Sequence, residues 1–483
     1  MNLRPWVSVV IPARDAAGTV SETIASLRAQ TMGAWEAIVI DDGSTDGTAE
    51  AVAMAAAGDV RVRAIRAITG SASGSRNLGI ASTSAPRLLF LDADDWIEPD
   101  HLAALRGALE ADGEADAAYC GDVRVLPGGV RTAPRFSPDV TTRPMHAFAR
   151  RNEVAIHAVV VNRAPVEAVG GFDPALVTCE DWDLWQRLAR LGVRFTPVAR
   201  PLALYRIRNG SLSADFARML GDARRVVAQG FGADPRLAGA TLAFPGGATA
   251  ETDDGPDVCE ALFAAWCLGA TAGRRADSAS IVRQLARAPT LVDHASTAAR
   301  SIADGLLVGA GLPERQLAAE WDRFGPDLDK ALDAVEHQIG IEGAARALGA
   351  EVERVLLGWA PEDAMRSLTR TAAAVLPLGA LRPVTPGRGH DRAVIRFTGA
   401  PADGVIIDKH AVYSELITTD TRSFTIADLS EIWVNLTVYQ KDLALIHLGQ
   451  PVRVGSRFGG AETEAAAVGT LSWMSPTLDE KTR

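Results

Sequence analysis

Over roughly its first 210 residues the chain alternates short apolar runs with amphipathic stretches, and this alternation constrains the fold more than any other feature. Trp6–Ile11 and Ala37–Ile40 are continuous β-rich runs, and the segments around Val60–Ile65 and Leu88–Leu91 read the same way. Helical patterns cover Val20–Gln30, Thr48–Ala57 and His101–Ala111. Thr19 with Glu22 three residues on suggests a capping box for the first, and Pro99-Asp100 marks the start of the third. Strand following helix following strand predicts an α/β domain with a largely parallel sheet covered on both faces. Ligands of such sheets bind beyond the carboxyl ends of the strands, so the residues after each run are the candidates for chemistry.

The pattern changes further on. From Asp215 to Pro386 long Ala/Leu/Arg-rich stretches such as Ala276–Arg287 and Asp327–Leu348 predict an α-helical region, whose charges at i, i+3 and i+4 suit solvated faces. Phe244–Gly255 and Leu381–Gly389 are Gly/Pro-rich connections, the second a domain boundary. After Asp391 the composition turns to β. Ile432, Val434, Leu436 and Val438 alternate with Trp433, Asn435, Thr437 and Tyr439, which predicts a two-faced strand in a small all-β module. A length of 483 residues suits roughly three domains, and the expected ones are 1–214, 215–386 and 391–483.

Charge and cysteine usage exclude several classes. Forty-nine Lys+Arg against sixty Asp+Glu leave a net charge of −11, which disfavours a general grip on nucleic acid or anionic lipid. The four cysteines, Cys120, Cys179, Cys259 and Cys267, are widely spaced, so neither a zinc site nor a disulfide scaffold is expected and a reduced compartment fits. The apolar run before Pro12 is too short for an export signal, and Ala261–Ala272 is too short to span a bilayer. A cytoplasmic protein is expected, with peripheral contact at the inner face of a membrane left open.

Three acidic clusters follow apolar runs or open helices. Ala37–Ile40 leads into Asp41-Asp42-Gly43-Ser44, where a carboxylate can accept hydrogen bonds from a base or ribose, or simply organise a turn. Leu88–Leu91 leads into Asp92-Ala93-Asp94-Asp95, and carboxylates at i and i+2 can converge on a hard divalent cation that also binds phosphate oxygens. Glu180-Asp181-Trp182-Asp183 opens a helix running through Leu191, where a carboxylate can serve as a fixed general base or as a cap. Arg76, in Gly74-Ser75-Arg76-Asn77-Leu78-Gly79, suits a phosphate or base, and Arg206 and Arg208 a pyrophosphate.

VSVVIPARDAAGTVSETIASLRAQT, AIVIDDGSTDGT, GSRNLGIA, LLFLDADDWIEPDHL, VGGFDPAL, CEDWDLWQRLARLG and LYRIRNGSLS, in that order, resemble family 2 glycosyltransferases of the GT-A fold over about Trp6–Ser213. The resemblance implies that Pro12, Asp15, Asp42 and Arg76 line a nucleotide pocket, that Asp92 and Asp94 bind metal and diphosphate, and that Asp181 is the catalytic base with Glu180 beside it. It further implies inversion at the anomeric carbon, a nucleotide-diphosphate sugar donor, Mg²⁺ or Mn²⁺, and a glycan, lipid-linked or protein acceptor. Trp185-Gln186-Arg187 is not the full QxxRW signature of processive synthases, so transfer of single sugars is expected. The stretch from Gly399 to Val454 and the final Gly469–Arg483 resemble periplasmic adaptor subunits of efflux pumps, covering half a lipoyl-like domain and part of a β-barrel. With no first lipoyl half and no hairpin, that tail reads as an appended fragment. The alternatives are a non-enzymatic scaffold docking an efflux assembly, or a fusion of two unrelated pieces.

Overall fold

The computed structural model describes residues 4–208, 215–237, 241–250, 255–285 and 290–359, together with four short strands further on. Residues Met1–Val375 belong to one compact unit and Leu376–Arg483 to a second.

The first unit is built on eight strands: β1 (Val7–Ala13), β2 (Trp35–Asp42), β3 (Val62–Ala67), β4 (Arg87–Phe90), β5 (Trp96–Ile97), β6 (Ala117–Val125), β7 (Val159–Asn162) and β8 (Phe195–Arg206). They form one sheet in the order β3-β2-β1-β4-β7-β6-β8-β5. The pairings β1·β2, β2·β3, β1·β4 and β6·β8 are parallel, whereas β7 runs antiparallel to β4 and β6, and β5 to β8. The sheet is thus mixed, with a parallel half at its start. The expected α/β fold is present, and the carboxyl ends of β1, β2, β4, β6 and β8 share one edge.

Continuous apolar runs make sense here because both faces are covered. In β1, Val10 joins one core while Val9 and Ile11 join the other; in β2, Ile38 and Ile40 oppose Ala37 and Val39. Helices Val20–Arg28, Thr48–Ala56 and His101–Ala111 supply the second core, and Ala72–Ala81, Pro144–Arg150 and Glu180–Leu191 flank the first. The Ala72–Ala81 helix lies so near β1 that a Cβ on Gly79 would sit 2.2 Å from Val10 Cγ1. The expected capping box at Thr19 does not form: Thr19 makes no side-chain cap bond, and Glu22 pairs with Arg206 instead of turning back. A charged partner at the end of β8 draws that carboxylate away from the helix terminus.

The Phe216–Gly230 helix puts Ala223, Val226 and Val227 into the same core as the sheet, so residue 214 falls inside one compact unit. Beyond it the expected helices appear. Pro256–Gly273 and Ala295–Ala310 pack almost backbone to backbone: a Cβ on Gly269, Gly305 or Gly309 would lie 2.0, 2.1 or 2.0 Å from a carbonyl oxygen of the opposite helix. The stretch expected as Asp327–Leu348 divides into Trp321–Ile339 and Ala344–Leu357, because Gly340 (φ 70°) and Gly343 (φ 84°) take left-handed conformations that end one helix and precede the next. Among the described residues no helix is long and apolar enough to cross a membrane.

In the second unit Val405–Lys409 pairs antiparallel with Phe424–Ala427, and Pro451–Val454 with Ala467–Thr470. The expected connection Leu381–Gly389 and the strand alternating from Ile432 to Tyr439 lie outside the described residues.

Candidate active site

The shared carboxyl edge gathers the acidic clusters. Arg76 is 3% exposed and makes two short ion pairs, Nη2 to Asp92 Oδ1 and Nη1 to Glu180 Oε1, each at 2.6 Å. One buried guanidinium therefore ties the end of β4 to the start of the Glu180–Leu191 helix, two segments far apart in sequence. The Phe172 ring lies 5.2 Å from the Arg76 guanidinium and meets Phe90 edge-on at 4.7 Å, closing the cation off from water. Asn77 fixes this ring: its Nδ2 donates to the Phe172 carbonyl and its Oδ1 accepts from the Phe172 N–H, both at 2.9 Å.

Asp181 follows directly. Its Oδ2 accepts a hydrogen bond from Asn152 Nδ2 at 2.9 Å and its Oδ1 accepts the Trp182 N–H at 2.7 Å. Burial raises the Asp181 pKa above the usual carboxylate range against the pull of Asn152 and Arg76, and the charge of Asp92 adds to the rise. Glu180, also buried, is pushed up to about 7 despite Arg76 beside it. Three carboxylates around one arginine leave an excess of negative charge, a fitting place for a proton acceptor.

Asp94 pairs with Arg208, Nε to Oδ2 at 2.7 Å, and its pKa is raised by burial and then by neighbouring Asp92. Asp92 and Asp94 thus each give one oxygen to an arginine while crowding each other, a repulsion that a divalent cation would relieve. Their hard oxygens fit Mg²⁺ or Mn²⁺. Among the described residues no group of three or more His, Cys, Asp or Glu converges on a metal position.

The other expected residues organise loops at the same edge. Pro12 stands near the end of β1 opposite Ile40. Asp15, at φ 48°, accepts the Thr45 N–H at 2.9 Å while its own N–H donates to Ser44 Oγ at 3.0 Å. Asp41 Oδ1 accepts the Ser44 N–H at 2.9 Å, a turn role, yet its buried Oδ2 has no hydrogen-bond partner. Asp42 Oδ1 accepts the N–H groups of Thr69 and Gly70, joining the loop after β2 to the loop after β3. Arg206 braces the acidic turn from behind: its N–H donates to Asp95 Oδ1 and its Nε to the Asp94 carbonyl, both at 2.7 Å, and its guanidinium stacks 4.5 Å over Trp96 and pairs with Glu22.

Sequence reasoning missed Asn152 and the loop-fixing role of Asn77 with Phe172. GSRNLG and VGGFDPAL both stood out, but nothing local says that they meet. It also left Arg208 without the specific partner it has.

One arginine thus joins the Asp-x-Asp turn at the end of β4 to Glu180, the neighbour of Asp181. Residues 8–161 match the family described as glycosyl transferase family 2. The chain is 29% identical to O-antigen biosynthesis protein RfbC of Myxococcus xanthus over 217 residues, 44% of this chain and 16% of that protein. It is 30% identical to succinoglycan biosynthesis protein ExoU of Rhizobium meliloti (strain 1021) over 200 residues, 39% of this chain and 58% of that protein. The N-terminal region is therefore similar to family 2 glycosyltransferases. The chain spans less than two thirds of the length of these relatives. S. aureus TarS 1-349 in complex with UDP-GlcNAc aligns with a TM-score of 0.41 at 14% identity, over 73% of this chain and 92% of that chain, and adds nothing at that score. A separate stretch of 84 residues is 33% identical to cobalt-zinc-cadmium resistance protein CzcB of Cupriavidus metallidurans, 17% of this chain and 15% of that protein, in keeping with the adaptor likeness of the C-terminal segment.

Proposed function

We propose that the protein transfers a single sugar from a nucleotide-diphosphate donor to an acceptor hydroxyl, with inversion and with Mg²⁺ or Mn²⁺. The observation that carries this reading is the Arg76 clamp, which brings Asp92 beside Glu180, the neighbour of Asp181. Asp181 takes the proton of the attacking hydroxyl, since it is a buried carboxylate of raised basicity held in place by Asn152. Asp92 and Asp94 hold the cation, which when bound offsets the charge developing on the diphosphate leaving group. Pro12, Asp15, Asp41, Asp42 and Arg76 frame the nucleotide side, and Arg206 supports the Asp94 turn. Relatives named for O-antigen and succinoglycan biosynthesis favour a glycan or lipid-linked glycan as acceptor.

The test is turnover of a panel of UDP-, GDP- and dTDP-sugars with Mn²⁺ or Mg²⁺, read as nucleotide release, alongside nucleotide binding by calorimetry. Asp181→Asn should abolish transfer while leaving metal-linked nucleotide binding near normal. Asp92→Asn should weaken that binding strongly as well. Equal loss of binding in both variants would reject this division of roles, and a wild type that neither binds nor consumes any donor would reject the activity.

A further inference from the structure

The turn that delivers Asp181 is not held by its own sequence. Cys179, its helix-capping residue, has φ 60° and makes no side-chain cap bond, a left-handed conformation that a residue with a Cβ adopts only when its surroundings impose it. The surroundings come from a segment to which the sequence assigned no chemistry. Asp222, on the Phe216–Gly230 helix, is 13% exposed, and one of its oxygens accepts three hydrogen bonds. The donors are the Val177 N–H at 3.3 Å, the Thr178 N–H at 3.0 Å and the Thr178 hydroxyl at 2.9 Å. One turn earlier the Met219 carbonyl accepts from Cys179 Sγ at 3.8 Å. The same segment reaches past the turn on both sides. Arg236 donates to Asp183 Oδ1 at 2.7 Å and to Asp173 Oδ2 at 2.8 Å, and Arg225 to the Ala175 carbonyl at 3.1 Å.

Residues 173 to 183 are therefore gripped from one side by side chains of 219 to 236, and the grip is densest on the two residues just before Cys179. We propose that Asp222 is a positioning residue for the transfer reaction: its carboxylate holds Val177 and Thr178 so that Cys179 stays left-handed and Asp181 opens its helix beside Asn152. The proposal rests on the reading of Asp181 as the base. A carboxylate suits the task because it can accept several donors at once, and a charged acceptor makes each of those bonds stronger than a neutral one. Loss of this grip acts first on the turn that carries Glu180 and Asp181, since Asp42 is anchored to the loop after β3 and Arg76 keeps its pair with Asp92. It moves the group that must meet the acceptor hydroxyl, and displacement of about 1 Å at such a group costs on the order of 100-fold in rate.

The experiment uses the full chain and whichever of UDP-glucose, UDP-N-acetylglucosamine, GDP-mannose or dTDP-rhamnose it consumes with Mn²⁺. Asp222→Ala should lower kcat about 10- to 100-fold with the donor KM nearly unchanged, and Asp222→Asn, which keeps an acceptor oxygen, should recover part of the loss. A folded Asp222→Ala with wild-type kcat overturns the proposal. If that variant does not fold, Thr178→Val decides: a fall in kcat at unchanged nucleotide affinity supports the proposal, and an unchanged kcat overturns it. An inactive Asp181→Asn beside a fully active Asp222→Ala removes the positioning role alone, whereas an active Asp181→Asn removes the base and this proposal together.

Discussion

In the proposed mechanism Arg76 and Asp181 carry different tasks at the scale of single residues. Arg76 reaches across 16 residues to Asp92 and across 104 to Glu180, and the two contacts use separate nitrogens of one planar fork. Lysine cannot reproduce that fork. Arg76→Lys should therefore lose one of the two carboxylates and destabilise the protein by about 3 kcal/mol, as expected when a buried ion pair is broken; denaturant unfolding measures this, and a change under about 1 kcal/mol would contradict the clamp. In the proposed mechanism Asp181 sets the acid side of the pH profile. The base works ionised, and burial raises its pKa, so the working carboxylate is lost as pH falls at a higher pH than for a free aspartate near about 3.9. A kcat/KM profile should show its acid limb above that value, and a limb at or below it would speak against Asp181 as base.

Elements place these residues, and their contacts are tight where a glycine permits it. The Ala72–Ala81 helix carries Arg76 and rests on β1 through Gly79. Gly79→Ala should push the helix off Val10 and cost about 1–3 kcal/mol with a matching loss of activity. Gly107, exposed on the His101–Ala111 helix, has nothing within 4 Å of an added Cβ. Gly107→Ala should stabilise by about 0.5–1 kcal/mol, and thermal unfolding of the pair of variants checks both signs. Much at this scale was legible in the chain itself. His101–Ala111 and Glu180–Leu191 appear as expected because their apolar spacing and boundary residues act within a few positions. The antiparallel β5 and β7 were not legible, since a short strand's direction is set by its neighbours and not by its own pattern.

For the whole molecule the telling contrast is between two cut points. A chain ending at 375 keeps a complete compact unit, whereas one ending at 214 loses Ala223, Val226, Val227 and Leu237 from the sheet's core together with Asp222 and Arg236. Net stability is only about 5–15 kcal/mol, so losing that much buried surface is decisive. The 1–375 chain should unfold cooperatively and turn over donor like the full protein, and the 1–214 chain should do neither; calorimetry and nucleotide release measure the two properties.

Periodicity, turn chemistry and motif order determined by themselves that the chain begins with an α/β domain, that Asp92, Asp94, Glu180, Asp181 and Arg76 are the candidates for chemistry, and that helices follow. Those signals are local, written within one strand, one turn or one motif. Only the tertiary structure decided that Arg76 would face two carboxylates at once, that Asn77 would fix Phe172, and that Asp222 would hold a turn 44 residues before it. Such pairings join positions whose spacing carries no pattern, and they exist because burying the two cores brings those segments to one edge, where each buried polar group must find a partner.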